Sequence, residues 1–200
     1  MLEILTGVLQ GLTEFLPISS SGHLVIISSL SSELDLNTND IAFLHIGTLF
    51  SIVFFYRKRI FEIFEDLDTF VFYFKIILAG IIPAVLIGLL TPIQNIIDES
   101  PNLILITGAS YLIFSLLLIF SGKINNSEAL NIRDITVSQA FVIGIAQSIA
   151  LLPGVSRSGV TLLTAIYLGV KKADAIYYSL LLGIPTIFAV SYTHLTLPTI

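Results

Sequence analysis

Two short apolar stretches of this chain match each other without a gap. Residues 7–22 read GVLQGLTEFLPISSSG, and residues 144–159 read GIAQSIALLPGVSRSG. Each stretch begins within a short apolar segment, Leu2–Leu16 or Ala140–Leu152. Each segment runs into a turn with proline and several hydroxyl side chains. About twelve helical residues at roughly 1.5 Å each reach only about 18 Å, near the middle of a bilayer. We therefore expect two re-entrant helical hairpins rather than two membrane-spanning helices.

The composition is that of a membrane protein. Hydrophobic residues make up 55% of the 200 residues, charged residues make up 12%, and the mean hydropathy is +0.97. Soluble domains contain roughly 45–50% apolar and about 25% charged residues. The net charge of -5 leaves no basic surface for nucleic acid, so no nucleic-acid partner is expected. Because the chain has no cysteine, disulfides and thiolate metal sites are excluded.

Longer apolar stretches predict the membrane-spanning helices and their orientation. Spans are expected at Ile41–Tyr56, Ile76–Leu90, Leu103–Phe120 and Ile176–Val190. Lysine and arginine occur in the connecting segments Arg57–Asp68 and Lys123–Gln139, whereas Ser31–Asp40 and Thr91–Asn102 contain neither. By the positive-inside rule the first two segments are cytoplasmic and the last two face outward.

The two matched stretches are expected to enter the membrane from opposite faces. The first is followed by an outward loop, and the second by Lys171 and Lys172, which should lie inside. In such inverted repeats, broken helices meet near the midplane and direct their N-termini at an anion. The predicted fold is an all-α, polytopic membrane helix bundle with inverted-topology repeats and two re-entrant helical hairpins. Chance similarity between two apolar segments is the alternative interpretation.

A carboxylate and an amide precede the first turn. Gln10 and Glu14 are four residues apart, so they share one face of a helix. A carboxylate at membrane depth is costly and usually has a function, served by an ion, a basic partner or water. The alternative is that Glu14 only forms a structural ion pair with Arg157.

Hydroxyl groups and a histidine follow that carboxylate. His23 lies just inside the next helix, whose dipole favours a neutral imidazole that can accept a proton or attack phosphorus. His45, within the span Ile41–Tyr56, is interpreted instead as an ordinary hydrogen-bonded polar residue. The helix start offers hydroxyls and backbone N–H groups to an anion, or serves only as a cap. Its residues are Ser19, Ser20, Ser21 and Gly22.

The second turn contains an isolated arginine. Of the nine basic residues, Arg157 is the one that is not predicted on the cytoplasmic side, since Lys75 directly precedes the span at Ile76 and Lys171 and Lys172 should lie inside. Its planar, permanently charged guanidinium matches phosphate oxygens in a bidentate manner. Ser156, Ser158 and Gly159 flank it at another helix start, and Thr161 lies one step into that helix. A structural anchor is the alternative role for the arginine.

Two motifs resemble the signatures of the undecaprenyl-diphosphatase family, the bacitracin-resistance type. They are QGLTEFLPISSSGH at residues 10–23 and PGVSRSGVT at residues 153–161. The resemblance implies a multi-pass phosphatase of the plasma membrane that converts a polyprenyl diphosphate to the monophosphate. It also implies a divalent cation, Mg²⁺ or Ca²⁺, and an active site that opens to the outer face.

The same resemblance assigns roles to individual residues. The family's acidic pair falls on Gln10 and Glu14, its serine and histidine on Ser20 and His23, and its arginine on Arg157. Because glutamine stands at the first acidic position, Glu14 is the metal ligand expected here. Substrate binding is expected from the remaining turn residues, which are Gln10, Ser19, Ser21, Gly22, Ser156, Ser158, Gly159 and Thr161.

The sequence also predicts the extent of the domain, a candidate assembly and an alternative function. Residues 1–190 are predicted to form one membrane phosphatase domain. The resemblance implies that this domain is incomplete at its C-terminus, because members of the family continue with further membrane helices. Residues 191–200, SYTHLTLPTI, break the apolar pattern and resemble a translated sequencing-adaptor tail, so His194 is given no role. A homodimer is a candidate assembly. The alternative function is a transporter or flippase of a lipid phosphate or another anion, since inverted repeats are also transporter architecture.

Overall fold

The computed structural model describes residues 2–30, 38–121 and 129–196, and these residues are almost entirely helical. Short 3₁₀ turns at Ile132–Asp134 and Ser148–Leu151 flank the seventh helix. Within the described ranges, the β-type pairing is one isolated bridge between Leu130 and Val170. The all-α prediction is confirmed. The α-helices are α1 (Leu2–Thr13), α2 (Ser20–Leu30), α3 (Thr38–Phe64), α4 (Leu67–Leu90), α5 (Ile93–Asp98), α6 (Leu103–Ser121), α7 (Val137–Gln147), α8 (Arg157–Tyr167) and α9 (Lys172–Thr196).

Three of these helices are long and apolar enough to cross a membrane. They are residues Asp40–Phe64 of α3, all of α4 and all of α6. Large apolar side chains on α3 and α6 point away from the protein, among them Phe50, Phe54 and Leu112. Such surfaces are stable only in contact with lipid or another apolar partner. The chain is therefore a membrane helix bundle.

α3 and α4 are longer than the sequence patterns predicted. α3 continues past Tyr56 to Phe64, and α4 begins at Leu67, so the expected cytoplasmic segment is reduced to two residues. Residues 57–64 contain no glycine or proline to end the helix, and charged side chains are compatible with helix. The break is set by Asp66, whose carboxylate accepts the N–H of Thr69 and caps α4. α6 has nearly the predicted bounds.

α9 differs most from its prediction. It begins four residues before Ile176 and continues through the expected tail to Thr196, while residues 197–200 lie outside the described part of the chain. α9 packs along α3 and α8, and Tyr178 and Leu182 are fully buried. Within the described residues it is not among the three candidate spans. Most of its apolar side chains lie in the interior of the bundle, whereas Phe188 is exposed.

The main core lies between α4, α7, α8 and α9. α4 and α7 approach closely at facing glycines, since a Cβ on Gly144 would lie 2.6 Å from the carbonyl oxygen of Gly80. Small residues at such crossings let helix backbones pack directly in membranes. The hydroxyl of Tyr178 donates to the carbonyl oxygen of Ile76 across this core at 2.7 Å. Its fully buried apolar members include Ile76, Ala140, Ile143, Ala165, Ala175, Tyr178 and Leu182.

The matched stretches form two helix–turn–helix hairpins, α1–α2 and α7–α8. α1 has 12 residues and α7 has 11, so both are too short to span a bilayer. α3 follows the first hairpin, α9 follows the second, and these two helices pack against each other. The re-entrant insertion and the inverted symmetry stay predictions. Most of the predicted outward segment Ser31–Asp40 and the start of Lys123–Gln139 lie outside the described residues.

Candidate active site

The turns of the two hairpins are in contact. The hydroxyl of Ser156 donates to the carbonyl oxygen of Leu16 at 3.4 Å, and that of Ser158 donates to the same oxygen at 3.3 Å. Leu16 belongs to the first turn, more than a hundred residues away along the chain. The residues around both motifs therefore form one site.

The two turns share the same capping pattern. Ser19 Oγ accepts the backbone N–H of Gly22 at 3.3 Å, and Ser156 Oγ accepts that of Gly159 at 3.1 Å. α2 and α8 thus begin with equivalent caps, and the positive ends of both helices meet at the turns. In each turn the serine two positions after the cap lies close to the capping serine: the Oγ atoms are 3.3 Å apart for Ser19 and Ser21 and 3.1 Å apart for Ser156 and Ser158.

Glu14 is the centre of this cluster. Its side chain is 8% exposed, and its Oε1 accepts a hydrogen bond from Arg157 Nη2 at 3.0 Å. Its Oε2 accepts from Ser20 Oγ at 2.6 Å and from Gln10 Nε2 at 2.9 Å. The carboxylate therefore joins both turns. The ion pair with Arg157 that the sequence left open is present, whatever further role each partner has.

Two polar atoms beside this carboxylate have no hydrogen-bond partner within the described residues. They are Nη1 of Arg157, a donor, and Oε1 of Gln10, an acceptor, and both are buried. A methyl group on Gly183 of α9 would overlap the guanidinium, so that position keeps the space that Arg157 occupies. Buried polar groups are nearly always paired, so these two atoms indicate a missing ligand or water.

His45 belongs to the cluster, although the sequence suggested an ordinary polar residue. Its Nδ1 lies 2.8 Å from the carbonyl oxygen of Ile41, and its Nε2 lies 3.9 Å from Oε2 of Glu14. α1 packs against α3, which brings the two side chains together. Nothing in the local sequence of α3 signals this contact, because it depends on how two separate helices pack.

His23 is half-buried at the start of α2. Its Nδ1 lies 2.7 Å from the carbonyl oxygen of Ser19. A carbonyl oxygen can only accept, so Nδ1 carries the proton, and in the neutral ring Nε2 keeps its lone pair. The ring can therefore act as a base or nucleophile only through Nε2.

Thr161 is fully buried, and its hydroxyl is already engaged by the protein. It donates to the carbonyl oxygens of Arg157 and Ser158, at 3.0 and 3.2 Å, and lies 2.6 Å from Ser179 Oγ. These contacts join α8 to α9. The substrate contact expected of Thr161 stays a prediction.

The residues around Glu14 fit a cation that is shared with a phosphate ligand. No cluster of three or more histidine and acidic side chains occurs among the residues that the structure describes. Mg²⁺ needs no such cage, because it commonly binds through one or two carboxylates together with substrate phosphates and water. Glu14 would supply one carboxylate to such an ion, and the unpartnered Oε1 of Gln10 would supply a neutral oxygen ligand.

Comparison with known proteins identifies the family of the chain. Residues 3–199 match the family described as "Bacitracin resistance protein BacA". A protein named undecaprenyl-diphosphatase from Methanococcus maripaludis (strain C5) is 36% identical over 98% of this chain and 78% of its own length. Proteins of the same name from Methanococcus vannielii and Thermosipho africanus are each 39% identical over 94% of this chain, and over 76% and 75% of their own lengths. The chain belongs to the bacitracin resistance protein BacA family.

Proposed function

We propose that this chain hydrolyses the diphosphate of an undecaprenyl-type lipid, giving the lipid monophosphate and inorganic phosphate. Relatives that carry the name undecaprenyl-diphosphatase align with nearly all of the chain, which supports the proposal. In the net reaction, an oxygen from water bonds to the terminal phosphorus and the bond from that phosphorus to the bridging oxygen breaks. The bridging oxygen leaves with the polyprenyl monophosphate.

The contact between Glu14 and Arg157 carries the proposal. It places one guanidinium and two helix N-termini at a single point, and Arg157 Nη1 remains free to donate. Phosphoryl transfer depends largely on positioning and on stabilising charge at the phosphate oxygens. Donors fixed in advance within a largely buried site supply that stabilisation without reorganisation.

Ser20 is the nucleophile that the geometry supports best. Its hydroxyl lies 2.6 Å from the Glu14 carboxylate, which Gln10 and Arg157 hold in place, so a nucleophile, a base and orienting groups are adjacent. Attack by Ser20 Oγ passes its proton to Glu14 and expels the lipid monophosphate, and water then releases the phosphate. Attack by water that gives its proton to Nε2 of His23 is the second candidate. Trapping of a phosphorylated serine distinguishes the two.

A divalent cation, Mg²⁺ or Ca²⁺, is proposed at Glu14 and Gln10. Bound there together with the substrate, it would neutralise charge on the phosphate oxygens. The residues of the chain act beside it: Arg157 binds and orients the phosphate, and Ser20 and Glu14 move a proton. The turn residues expected to bind substrate, Thr161 included, stay in the proposed binding set.

We propose that both hairpins are re-entrant, that they are related by inverted symmetry, and that the site opens to the outer face of the plasma membrane. The matched caps of α2 and α8 and the contact between the turns support this arrangement. The distribution of basic residues supports the sidedness. Apolar side chains on the outside of α1, such as Leu5, Val8 and Leu12, offer lipid-facing surface along which the polyprenyl tail can leave.

The transporter alternative is not favoured. Binding of an anion for transport uses the arginine and the helix starts, but it gives no purpose to a serine hydroxyl held 2.6 Å from a carboxylate. The relatives compared above also carry the name of an enzyme, undecaprenyl-diphosphatase.

Phosphate release by the purified chain tests the proposal. In detergent micelles with Mg²⁺ and undecaprenyl diphosphate, we expect equal amounts of inorganic phosphate and lipid monophosphate. Movement of the intact diphosphate across vesicles without phosphate release would favour the transporter. Folded protein that does neither would contradict the proposed function.

A further inference from the structure

A tyrosine outside both motifs contacts the histidine of the site. Tyr111 lies on α6, and its hydroxyl oxygen is 2.7 Å from Nδ1 of His23. The same hydroxyl donates to the carbonyl oxygen of Ser19 at 2.9 Å. The two rings meet edge to face, with their centroids 5.7 Å apart. The hydroxyl therefore holds both the ring of His23 and the backbone before it.

The direction of each proton follows from these three contacts. Nδ1 of His23 carries a hydrogen, because it faces the carbonyl oxygen of Ser19 at 2.7 Å. The single proton of Tyr111 goes to that carbonyl oxygen, so the tyrosine oxygen is free to accept from Nδ1–H. A shared arrangement of this kind fixes the tautomer and the ring orientation, with the lone pair on Nε2.

The surrounding backbone is shaped for this tyrosine. A Cβ on Gly22 would lie 2.7 Å from both the ring and the hydroxyl oxygen of Tyr111, so only glycine leaves room for the ring. Ser19 has a φ of 60°, in the left-handed region that non-glycine residues seldom adopt. Such strain is characteristic of functional sites that the surrounding structure holds in place.

We propose that Tyr111 is a positioning residue that, together with the carbonyl oxygen of Ser19, holds the ring of His23 by its Nδ1–H, so that Nε2 can take or give a proton at the phosphate. This inference rests on the proposed phosphatase function. Tyr111 lies on α6, outside both motifs. Tyr111 does not touch the reacting atoms in this account, and it acts through His23.

Tyr111→Phe tests the inference, because it removes the hydroxyl and keeps the ring against Gly22. One hydrogen bond contributes about 0.5–1.5 kcal/mol, which corresponds to a loss of kcat of about two- to tenfold, with KM nearly unchanged. Tyr178→Phe is the matched control, since it also removes one buried hydroxyl that donates to a backbone oxygen, at 2.7 Å from Ile76. The control should lower thermal stability and leave kcat close to wild type.

Nitrogen NMR of ¹⁵N-histidine-labelled protein reads the tautomer directly. His23, assigned by a His23→Gln sample, should show a protonated Nδ1 and an unprotonated Nε2 in the wild type. In Tyr111→Phe the carbonyl oxygen of Ser19 keeps Nδ1 protonated, and the Nδ1 signal should shift because Nδ1–H loses the tyrosine acceptor. His45 is the internal control, because its Nδ1 also faces a carbonyl oxygen and, among the described residues, its ring contacts Glu14 rather than a tyrosine; its signals should not change.

The two proposals fail in different ways. If wild-type protein hydrolyses the lipid diphosphate while Tyr111→Phe keeps both the wild-type kcat and the wild-type His23 spectrum, the positioning role is wrong. If the wild type releases no phosphate, the proposed function is wrong, and the spectra still decide whether the hydroxyl of Tyr111 holds Nδ1–H of His23.

Discussion

The ion pair between Glu14 and Arg157 has a structural contribution that a double-mutant cycle can measure. The side chains are 8% and 16% exposed, and they are joined at 3.0 Å across the two turns. Removing one partner of a buried pair leaves the other charge unpaired and typically costs about 3–5 kcal/mol of folding free energy. Arg157→Met and Glu14→Gln should each lower the free energy of unfolding by about 3 kcal/mol, near the lower end of this range, because the arginine is still partly exposed to water. The double variant removes both charges and should cost clearly less than the sum of the two.

The assay is reversible unfolding of the four proteins in mixed detergent micelles, followed by circular dichroism. We expect a coupling free energy of about 2–3 kcal/mol between the two positions. Arg133→Met combined with Glu14→Gln is the control pair, because Arg133 donates to Thr69 and packs over Tyr73 instead. The changes in unfolding free energy caused by the two control substitutions should be additive. Additive effects of Glu14→Gln and Arg157→Met would refute the reasoning, since they would mean that the two charges are not coupled in the folded protein.

Three further predictions concern helix packing, the cation and the orientation of the chain. Gly144→Ala should destabilise the protein by about 1–3 kcal/mol because its methyl group meets the α4 backbone, whereas Gly108→Ala, in open space, should be neutral or stabilising in the same unfolding assay. Glu14→Gln should raise the Mg²⁺ concentration for half-maximal phosphate release about tenfold or more, and an unchanged Mg²⁺ titration would argue against a ligand role. The chain has no cysteine, so single cysteines can report its orientation. A cysteine in place of the exposed Asn95 should react with an impermeant external thiol reagent, and a cysteine in place of the exposed Lys58 should not. The reverse labelling pattern would mean that the predicted topology is inverted.

Short-range sequence patterns predicted much of the fold and of the site. The apolar run before Ser121 predicted α6 almost to the residue, because helix-breaking residues bound it on both sides. The match between the two stretches predicted that Glu14 and Arg157 lie in one site, and they are in contact. The serine caps of both turns were also predictable, since serine before an apolar helix start has a local physical reason to cap it.

Contacts between separate helices could not be predicted in the same way. His45 and Tyr111 lie in α3 and α6 among apolar residues, and no local spacing indicates that they reach the first turn. The extension of α9 through Ser191 depends on its burial in the bundle, while the sequence there reads as a break in the apolar pattern. The hydroxyl of Thr161 looked available in the motif, but the packing of α9 supplies its partner, Ser179.

The most direct test of the account is the rate of phosphate release by Arg157→Lys compared with Arg133→Lys. Lysine keeps the positive charge but loses the two-pronged guanidinium, so Arg157→Lys should lose about 10²- to 10³-fold in kcat on a polyprenyl diphosphate, typical of removing one transition-state donor. Arg133→Lys makes the same replacement where the guanidinium contacts Thr69 and Tyr73, and its rate should stay close to wild type. Folded Arg157→Lys protein that works at close to the wild-type rate would contradict the role of Arg157 in binding the phosphate, and the pair with Glu14 would then be structural.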